Sequence, residues 1–381
     1  MVTRAGQFQA HWQQEWRNIW QDSWLRLLVT LLPLLLFGWM VWLFDGGQVR
    51  ELPLGVVDQD HSHFSRALAR QLDGASGLAL TATYPDLQAG SRAMRQGQIY
   101  GLLFIPKDAE KGVRQGTQPV VSLFYNSQLL LVGKLINGAA QQSLGSVNIQ
   151  LAALGALSQA QALPSALGVA MPLVSQLTPL YNGSGNYALF LVSALLPAVW
   201  QILIVVTVIS SFVRRARNGQ EATWHASGFW AGLGALLPYQ LLFWGWGGVM
   251  GALLFGYRHW PMVGSWSLLL LGQGLTVLAC LGLGSLLYLL TRDGARAFSL
   301  AAVLTAPGFA FMGVTFPASQ MGELAQLWRA LLPVSHYAEL QLGQASLGLV
   351  GQAAWQPVLA LLGFVPLWLL VAGLQGRRSH G

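Results

Sequence analysis

The feature that most constrains this chain is the uneven spacing of its apolar segments. One apolar segment, 27–44, is followed by roughly 140 residues of ordinary polarity, from Asp45 to about Tyr181, and then by a tight cluster of five more apolar segments. A helix needs about 20 apolar residues to cross a bilayer. The layout therefore predicts a membrane protein in which one span leads into a folded domain and five closely spaced spans follow it.

The composition agrees with a membrane protein and excludes several other classes. Of 381 residues, 54% are hydrophobic and 9% are charged, against about 25% charged in a typical soluble domain. The net charge is +7, but the basic residues do not form the clustered patch that nucleic-acid binding requires, so we expect no nucleic-acid partner. The single cysteine, Cys280, lies in an apolar run and excludes an intrachain disulfide. No A-x-A-like cleavage site follows the first apolar run, which we expect to remain as an anchor.

The predicted fold class is an integral membrane α-helical protein with six transmembrane helices. The first is expected at 27–44, where a helix of this length measures about 27 Å and just matches a hydrocarbon core of about 30 Å. The inserted domain is expected at 45–186, the five-helix region at 187–374 and a cytoplasmic tail at 375–381. The five later spans are predicted at 187–213, 228–255, 265–290, 297–314 and 353–374.

The distribution of arginine predicts the orientation of these spans, because cytoplasmic loops carry an excess of Lys and Arg. Six spans would place ten arginines on one side, while the opposite short loops hold only Arg258 and Arg329. Both termini are therefore predicted to be cytoplasmic, and the large domain is expected outside the cell, or in the periplasm if the host has two membranes. The ten are Arg4, Arg17, Arg26, Arg214, Arg215, Arg217, Arg292, Arg296, Arg377 and Arg378.

Residues 1–26 are expected to include an amphipathic helix that lies in the plane of the membrane interface. Apolar residues recur there at helical spacing with polar residues between them. The alternative is a polar tail without fixed structure, although such tails rarely contain several tryptophans. The apolar residues are Phe8, Trp12, Trp16, Ile19 and Trp20.

The inserted segment alternates between strand and helix patterns, which favours a small α/β sheet. Asp60 or Ser62 is positioned to cap the first helix. From 128 to 163 the chain is rich in Ala, Leu, Gln and Ser without proline, which predicts long helices that link the sheet to the second span. Strands are predicted at 52–57, 78–82, 100–105 and 120–125, and helices at 62–72, at 86–96 and directly after Pro106.

The chain contains no recognisable motif for catalysis or nucleotide binding. Its only Gly-Lys pair, Gly133-Lys134, is followed by Leu135 where a phosphate-binding loop needs Ser or Thr. The run from Asp58 to His63 has the residue types of a metal site, but a calcium loop needs glycine at the sixth position, so we expect a turn and a helix cap. We predict no catalytic residue, no metal site and no cofactor bound to this chain.

Two further segments carry candidate functional residues. The loop 214–227 is short and basic, and it either enforces the orientation of the spans or contacts a cytoplasmic partner. His336 and Glu339 follow Pro333 in a segment predicted to be external, where we expect them to face water rather than to line a transport path. The candidate residues of the loop are Arg214, Arg215, Arg217, Gly219, Glu221 and Trp224.

Several stretches resemble the type-2 ABC exporter permeases, in the subgroup with a large external domain after the first span. Leu54–Ser62, followed by Phe64–Arg66, resembles the strand, turn and helix that open that domain, and Gly97–Pro106 resembles its helix–strand signature. Gly313–Pro317 and Leu332–Tyr337 resemble the external re-entrant segment before the last span, expected here near 315–345. The resemblance extends over essentially the whole chain. It singles out Gly313, Phe316, Pro317, Pro333, His336 and Tyr337 in the re-entrant segment.

The resemblance implies partners and roles that composition cannot supply. Two permease subunits, identical or paralogous, would pair, each with a separate ATPase subunit that binds ATP and Mg²⁺. The N-terminal helix with Trp12, Trp16 and Trp20 would be the family's interfacial elbow, and the loop around 217–224 would be its coupling helix. A periplasmic adaptor is a further candidate partner. The expected location is the lipid bilayer of a bacterial inner membrane.

The implied function is the export of hydrophobic or amphipathic compounds, drug-like or lipid-like. Charged residues are absent from the centres of the predicted spans, so an apolar molecule would lose little hydration free energy there, whereas a bare ion would lose much. Two alternatives stay open. One is an envelope scaffold or receptor that uses the external domain to hold a partner. The other is a membrane-embedded enzyme, which the scarcity of polar residues in the spans disfavours.

Overall fold

The computed structural model describes residues 4–45, 51–75, 77–115, 119–126, 132–143, 145, 186–220 and 228–376. The chain divides into two compact units. One unit comprises residues 1–45 and 188–381, and its described elements are helices. The other comprises residues 46–187 and contains a four-stranded sheet.

Two helices open the first unit, α1 (Arg4–Gln21) and α2 (Ser23–Leu43). Asp22 separates them, and its side chain accepts hydrogen bonds from the backbone N–H groups of Trp24 and Leu25. Because this cap fixes the beginning of α2, the helix starts four residues before the predicted first span. A π turn at Leu27–Leu31 precedes Pro33, which lies inside α2 and cannot donate a backbone hydrogen bond. The carbonyl oxygen of Val29, four residues earlier, instead accepts a hydrogen bond from Trp246 Nε1 at 2.8 Å.

The inserted unit alternates strands with helices, and its sheet has the order β2-β1-β3-β4. Strand β1 is parallel to β2 and β3, while β4 is antiparallel to β3. Of the long helices predicted at 128–163, residues 132–143 are helical, and the remainder lies largely outside the described residues. The elements are β1 (Leu52–Asp58), α3 (His63–Asp73), β2 (Leu78–Thr83), α4 (Leu87–Arg95), β3 (Gly101–Ile105), α5 (Ala109–Arg114), β4 (Ser122–Tyr125) and α6 (132–143).

Both faces of this sheet are covered, as expected where parallel strands are joined through helices. Alternate residues of β1 and β3 point to opposite faces, so neighbours such as Leu102 and Leu103 belong to different apolar clusters. One face packs on α3 and α6, and the other on α4. The first cluster includes Leu54, Leu68, Leu72, Leu103 and Ile136, and the second includes Val57, Ala93, Ile99 and Leu102.

The rest of the first unit follows the inserted unit in the chain. Its helices are α7 (Tyr187–Arg217), α8 (Gly228–Gly251), α9 (Trp266–Thr291), α10 (Gly294–Thr305), α11 (Gly308–Phe311), α12 (Glu323–Ala330), α13 (Pro333–Leu342), α14 (Gln352–Leu362) and α15 (Leu367–Gly376). Two π turns extend helices, one at Ala252–Tyr257 after α8 and one at Gly343–Leu347 after α13. Between α14 and α15 the chain turns ahead of Pro366, which cannot donate a backbone hydrogen bond.

Five helical segments among the described residues are long and apolar enough to cross a membrane. Helix α8 has 24 residues but is not one of them, because glycines, tryptophans, Pro238 and Gln240 interrupt its leucines. A third span at 228–255, and with it the total of six, stays a prediction. The fifth predicted span lies at Gly294–Phe311, shifted by three residues because Asp293 caps its start. The five segments are Ser23–Leu43, Tyr187–Arg217, Trp266–Thr291, Gly294–Phe311 and Gln352–Gln375.

Candidate functional site

Helix α1 packs tightly against α8, and it does so partly through polar residues. A Cβ atom at Gly234 would lie 2.6 Å from the carbonyl oxygen of Phe8, so only glycine permits this approach. Glu15 and Asn18 of α1 are each 3% exposed, whereas Trp20 is 49% exposed. The helix therefore buries part of its polar side together with Ile19, which is fully buried, while Trp20 remains outward.

A buried carboxylate connects three elements at this position. Glu15 Oε2 lies 3.0 Å from a guanidinium nitrogen of Arg215, near the end of α7. Tyr239 of α8 donates its hydroxyl proton to Glu15 Oε1 at 2.7 Å, and Asn18 Nδ2 donates to Oε2 at 3.0 Å. Both carboxylate oxygens are thus engaged, and α1, α7 and α8 are joined through one side chain.

The Glu15–Arg215 pair is buried on both sides, with 4% and 5% of the two side chains exposed. Two charges taken out of water gain little net stability from each other, but removing one partner leaves the other charge unpaired and costs about 3–5 kcal/mol. The pair therefore fixes how the three helices fit together more than it raises their stability. The guanidinium also lies 5.3 Å from the centroid of the Phe212 ring, which stacks on Tyr288 of α9.

A second set of polar contacts joins the start of α2 to the end of α7. Arg214 Nε lies 3.2 Å from Asp22 Oδ2. Trp24 Nε1 donates to Ser210 Oγ at 3.3 Å. Asp22 also caps α2. One carboxylate therefore contacts both the start of α2 and the end of α7.

The structure separates the residues predicted for the loop 214–227 into two groups. Arg214 and Arg215 point inward and pair with acidic residues at the α1–α2 region, so neither guanidinium extends freely from the end of α7. Arg217 and Gly219 are exposed. Gly219 has φ of +65° and terminates α7 in the left-handed conformation that glycine adopts most readily. Glu221 and Trp224 lie outside the described residues.

The predicted interfacial tryptophans lie one turn apart along α1. Trp12 and Trp16 are half-buried and contact each other edge to face, with ring centroids 5.9 Å apart. His11 lies on the same helix near the ion pair. Burial, and then the positive charge of Arg215, lower the pKa of His11 below its ordinary value, while Glu15 acts in the opposite direction. His11 is therefore favoured in its neutral form where α1 is docked.

The predicted re-entrant segment contains a buried helix, α13, held by side-chain amides of two other helices. Gln201 Oε1 of α7 accepts a hydrogen bond from the backbone N–H of Val334 at 3.0 Å, which satisfies a donor in the first turn of α13. Gln273 Nε2 of α9 donates to the Tyr337 hydroxyl at 3.0 Å. The Tyr337 ring also packs on Trp200, with centroids 5.7 Å apart. Tyr337 thus has a structural place in the bundle.

The other re-entrant residues are spread along the segment rather than gathered at one point. Gly313 has φ of +87° and forms a turn after α11. Phe316 and Pro317 are exposed, and Pro333 is buried at the first position of α13. The structure therefore does not bring the predicted set together as a single site.

His336 does not face water, contrary to the prediction, because it is only 9% exposed. Its Nε2 lies 3.2 Å from the carbonyl oxygen of Ala330, and its ring contacts Phe364 edge to face. The turn between α12 and α13 places this histidine next to Ala330, the last residue of α12. Glu339 is more open and pairs with Arg329.

The acidic run in the inserted unit is a turn and a set of helix caps. Asp58 Oδ1 accepts from the backbone N–H groups of Asp60 and His61, and Ser62 caps α3. Asp60 Oδ2 accepts from the backbone N–H of Glu110 at 3.1 Å. Burial acts to raise the pKa of Asp60, but hydrogen bonds from Ser62 and from α5 outweigh it and lower that pKa. No group of three or more metal-ligating side chains occurs in the part of the chain that the structure describes.

A family model decides the relationship of this chain to known proteins. The model for ABC-2 family transporter proteins matches residues 23–374. This chain belongs to that family. The match confirms the predicted type-2 ABC permease family, and comparison with curated proteins gives no match. The ABC-2 permease is thus a multi-pass membrane component of a transporter that associates with an ABC ATPase subunit.

Four residues that organise this permease were missed in the sequence. Glu15 and Tyr239 form the polar junction of α1, and Gln201 and Gln273 hold α13. A signal was present for three of them. Glu15 is the single acidic residue of α1, and the two glutamines are isolated amides in apolar helices, where polar groups are unfavourable without partners. Tyr239 gave no signal, because a tyrosine in an apolar helix is common.

Proposed function

We propose that this permease is the transmembrane subunit of an ABC exporter, and that α1 and the end of α7 receive the movement of the ATPase. The observation that carries this proposal is the buried contact of Glu15 with Arg215 and Tyr239. It joins α1, α7 and α8 immediately before the loop that the family resemblance assigns to coupling. A displacement of this loop would be transmitted to three helices together rather than to α7 alone.

The two groups of loop residues then have different roles. Arg214 and Arg215 anchor the loop to the α1–α2 region, while Arg217 and Gly219 are exposed and available to the ATPase. Glu221 and Trp224 are further candidates for this contact. ATP and Mg²⁺ would be bound by the ATPase, and this chain would carry no cofactor of its own.

The orientation with both termini in the cytoplasm is supported by the count of arginines, ten on the predicted cytoplasmic side against two in the short external loops. Arg258 and Arg329 are the basic residues that the predicted topology leaves in short external loops. Arg258 pairs with Asp45, and Arg329 pairs with Glu339. The inserted unit would lie in the periplasm, or outside the cell, and the permease in a bacterial inner membrane.

The substrate class follows from the character of the helices. The central parts of the five candidate spans carry no Asp, Glu, Lys or Arg, which favours hydrophobic or amphipathic substrates over ions. Three buried polar atoms around α13 have no hydrogen-bond partner among the described residues: Gln201 Nε2, Ser335 Oγ and Gln341 Oε1. A second copy or a paralogue would complete the pathway, with a periplasmic adaptor as a further candidate partner.

The coupling proposal is tested with the ATPase complex reconstituted in lipid vesicles. Arg215→Met leaves Glu15 buried without its cation, and we expect ATP-driven accumulation of an amphipathic dye to fall by about tenfold, the equivalent of about 1.4 kcal/mol, while ATP hydrolysis continues. Arg296→Met is the matched control, because Arg296 is exposed and should leave dye accumulation unchanged.

The double variant Glu15→Gln with Arg215→Met distinguishes coupling from stability. It removes both charges, so folding stability should return, because no buried charge is left unpaired. Dye accumulation should stay low if the pair transmits movement. Recovery of accumulation together with stability would assign the pair a structural role only. A complex with no ATP-dependent movement of any amphipathic dye would refute the exporter itself.

A further inference from the structure

A groove with a volume of about 590 Å³ lies between the beginnings of α9 and α14. This volume falls within the range of about 300–1,000 Å³ that small-molecule sites occupy. The groove belongs to neither the polar junction at α1 nor the amides that hold α13. Its walls include Leu268 and Leu271 of α9, Leu349 and Val350 of the loop after the second π turn, and Ala354 and Trp355 of α14.

Main-chain hydrogen bonds hold together two lining segments of the groove, the one at Val263 and Gly264 and the one at Gln344. Gly264 donates its backbone N–H to the carbonyl oxygen of Gln344 at 2.8 Å, and Val263 donates to Ala345 at 3.2 Å. A Cβ atom at Gly264 would lie 2.8 Å from the carbonyl oxygen of Gln344, so this approach requires glycine. The groove is therefore formed before any ligand enters it.

The polar groups along the groove are engaged with one another. The Gln344 side chain donates to the carbonyl oxygen of Leu349 at 3.0 Å and accepts from the backbone N–H of Ser265 at 2.9 Å. The hydroxyl oxygens of Ser265 and Ser267 are 2.8 Å apart. None of the lining residues is charged. An occupant would thus meet an apolar wall with two hydroxyl groups at one side.

The walls expose more apolar surface than water favours. Val350 is 82% exposed, Val263 69%, Trp355 50% and Leu271 44%. Apolar surface left in water costs about 25 cal/mol per Å². Helices α9 and α14 each begin a candidate span here, so this surface lies at the end of two membrane-crossing helices, where lipid chains are the abundant apolar molecules.

We propose that this groove binds one acyl chain of a membrane lipid. The chain would lie between Leu271 and Trp355, with the ester region of the lipid near the hydroxyl groups of Ser265 and Ser267. The uncharged lining excludes recognition of a charged headgroup inside the groove, so the acyl chain is the part that is bound. This proposal rests on the membrane location of the permease and is independent of transport direction and of the exported compound.

The permease complex in nanodiscs is photolabelled with a phosphatidylcholine that carries a diazirine midway along one acyl chain. Labelled peptides are mapped by mass spectrometry. We expect label on residues 263–271 and 344–355 above the level found at Leu369 and Leu370, which are more exposed but lie outside the groove. A lipid with the diazirine on its headgroup should not give this enrichment.

Two neighbouring leucines provide a matched pair of variants. Leu271→Trp fills the groove and should lower its labelling to the level of Leu369 and Leu370. Leu270→Trp adds the same ring at a residue of similar exposure that does not line the groove, and labelling should persist. Labelling of the wild-type groove at the background level, equal labelling in both variants, or displacement of the lipid by the exported compound or by a second subunit would each overturn the proposal.

Discussion

Tyr239 donates a 2.7 Å hydrogen bond to Glu15, a residue 224 positions earlier in the chain. The tyrosine is fully buried in α8, and the carboxylate belongs to the helix that precedes the first span. Together with the salt bridge between Glu15 and Arg215, this contact holds a polar residue of α1 toward the bundle. The inward face of α1 is therefore mixed in polarity, because the apolar residue Ile19 is fully buried beside Glu15 and Asn18.

Tyr239→Phe should destabilise the docking of α1, because Glu15 loses one of its hydrogen-bond donors inside the protein. A hydrogen bond to a charged group contributes about 1.5–3 kcal/mol. We expect a lower midpoint of thermal unfolding for the purified permease. Tyr257→Phe removes a hydroxyl from a residue that is 68% exposed and should leave the midpoint unchanged. Equal midpoints for the two variants would contradict the assigned role.

Gly234→Ala should separate α1 from α8, because the added methyl group would lie 2.6 Å from the backbone of Phe8. Amide hydrogen exchange across residues 4–21 should become faster. Gly245→Ala is the control in the same helix, since a Cβ atom there meets nothing within 4 Å. The control should be neutral or more stable, because alanine is favoured over glycine within a helix by about 1 kcal/mol. Unchanged exchange in Gly234→Ala would refute the close packing of α1.

The docking of α1 should weaken in mild acid because of His11. Burial and Arg215 hold its pKa below the value of about 6.5 found in unfolded chains. Between the two values the undocked helix binds more protons, so stability rises with pH there. The contribution of neutral His11 to the docking of α1 is fully present above about pH 6.5. This contribution is lost as the pH falls through the lower pKa of His11 in the folded protein.

The measurement for His11 is amide exchange across α1 at about pH 5.5 and about pH 7.5, corrected for the intrinsic rate of exchange, since His titrates between these values. His11→Gln should remove most of the difference. His259→Gln, at an exposed histidine, should retain it. A difference of the same size in all three proteins would assign the effect to another group.

Gln201→Leu should loosen the start of α13 without a large change in overall stability. The backbone N–H of Val334 loses its acceptor, but the unpaired Nε2 of Gln201 is removed as well. The two effects oppose each other in the free energy of unfolding. We expect faster amide exchange confined to residues 333–336, and no such change in Gln320→Leu, where the side chain is exposed. Unchanged exchange at Val334 would show that Gln201 does not hold this helix.

Local patterns in the sequence predicted much of the secondary structure. Continuous apolar runs marked the segments around α2, α7, α9, α10 and α14–α15, because length and hydropathy suffice to recognise a membrane helix. Strand positions in the inserted unit differ from the predicted ones by at most two residues at either end, since turn residues bound each apolar run. Helix ends were less predictable. Asp22 and Asp293 set the starts of two helices through side-chain caps.

The roles of the arginines after α7 could not be read from the sequence. A basic loop predicts exposed positive charge, yet Arg214 and Arg215 pair with Asp22 and Glu15. The prediction that His336 faces water was likewise wrong. Its burial depends on the turn that brings it to Ala330 and on the ring of Phe364, and not on its immediate neighbours in the sequence. Both outcomes depend on contacts between segments far apart in the chain.

The sequence by itself determined that this is a membrane protein of the ABC-2 type with an inserted domain between its first two spans. These properties depend on hydropathy, helical and strand periodicity and short local motifs, all of which act between near neighbours. Only the tertiary structure decided that α1 docks through a carboxylate, that glutamines hold α13 and that a groove opens beside α9. A buried polar group needs a hydrogen-bond partner. Which residue supplies it depends on contacts between segments far apart in the chain, and the local spacing of residues does not specify those contacts.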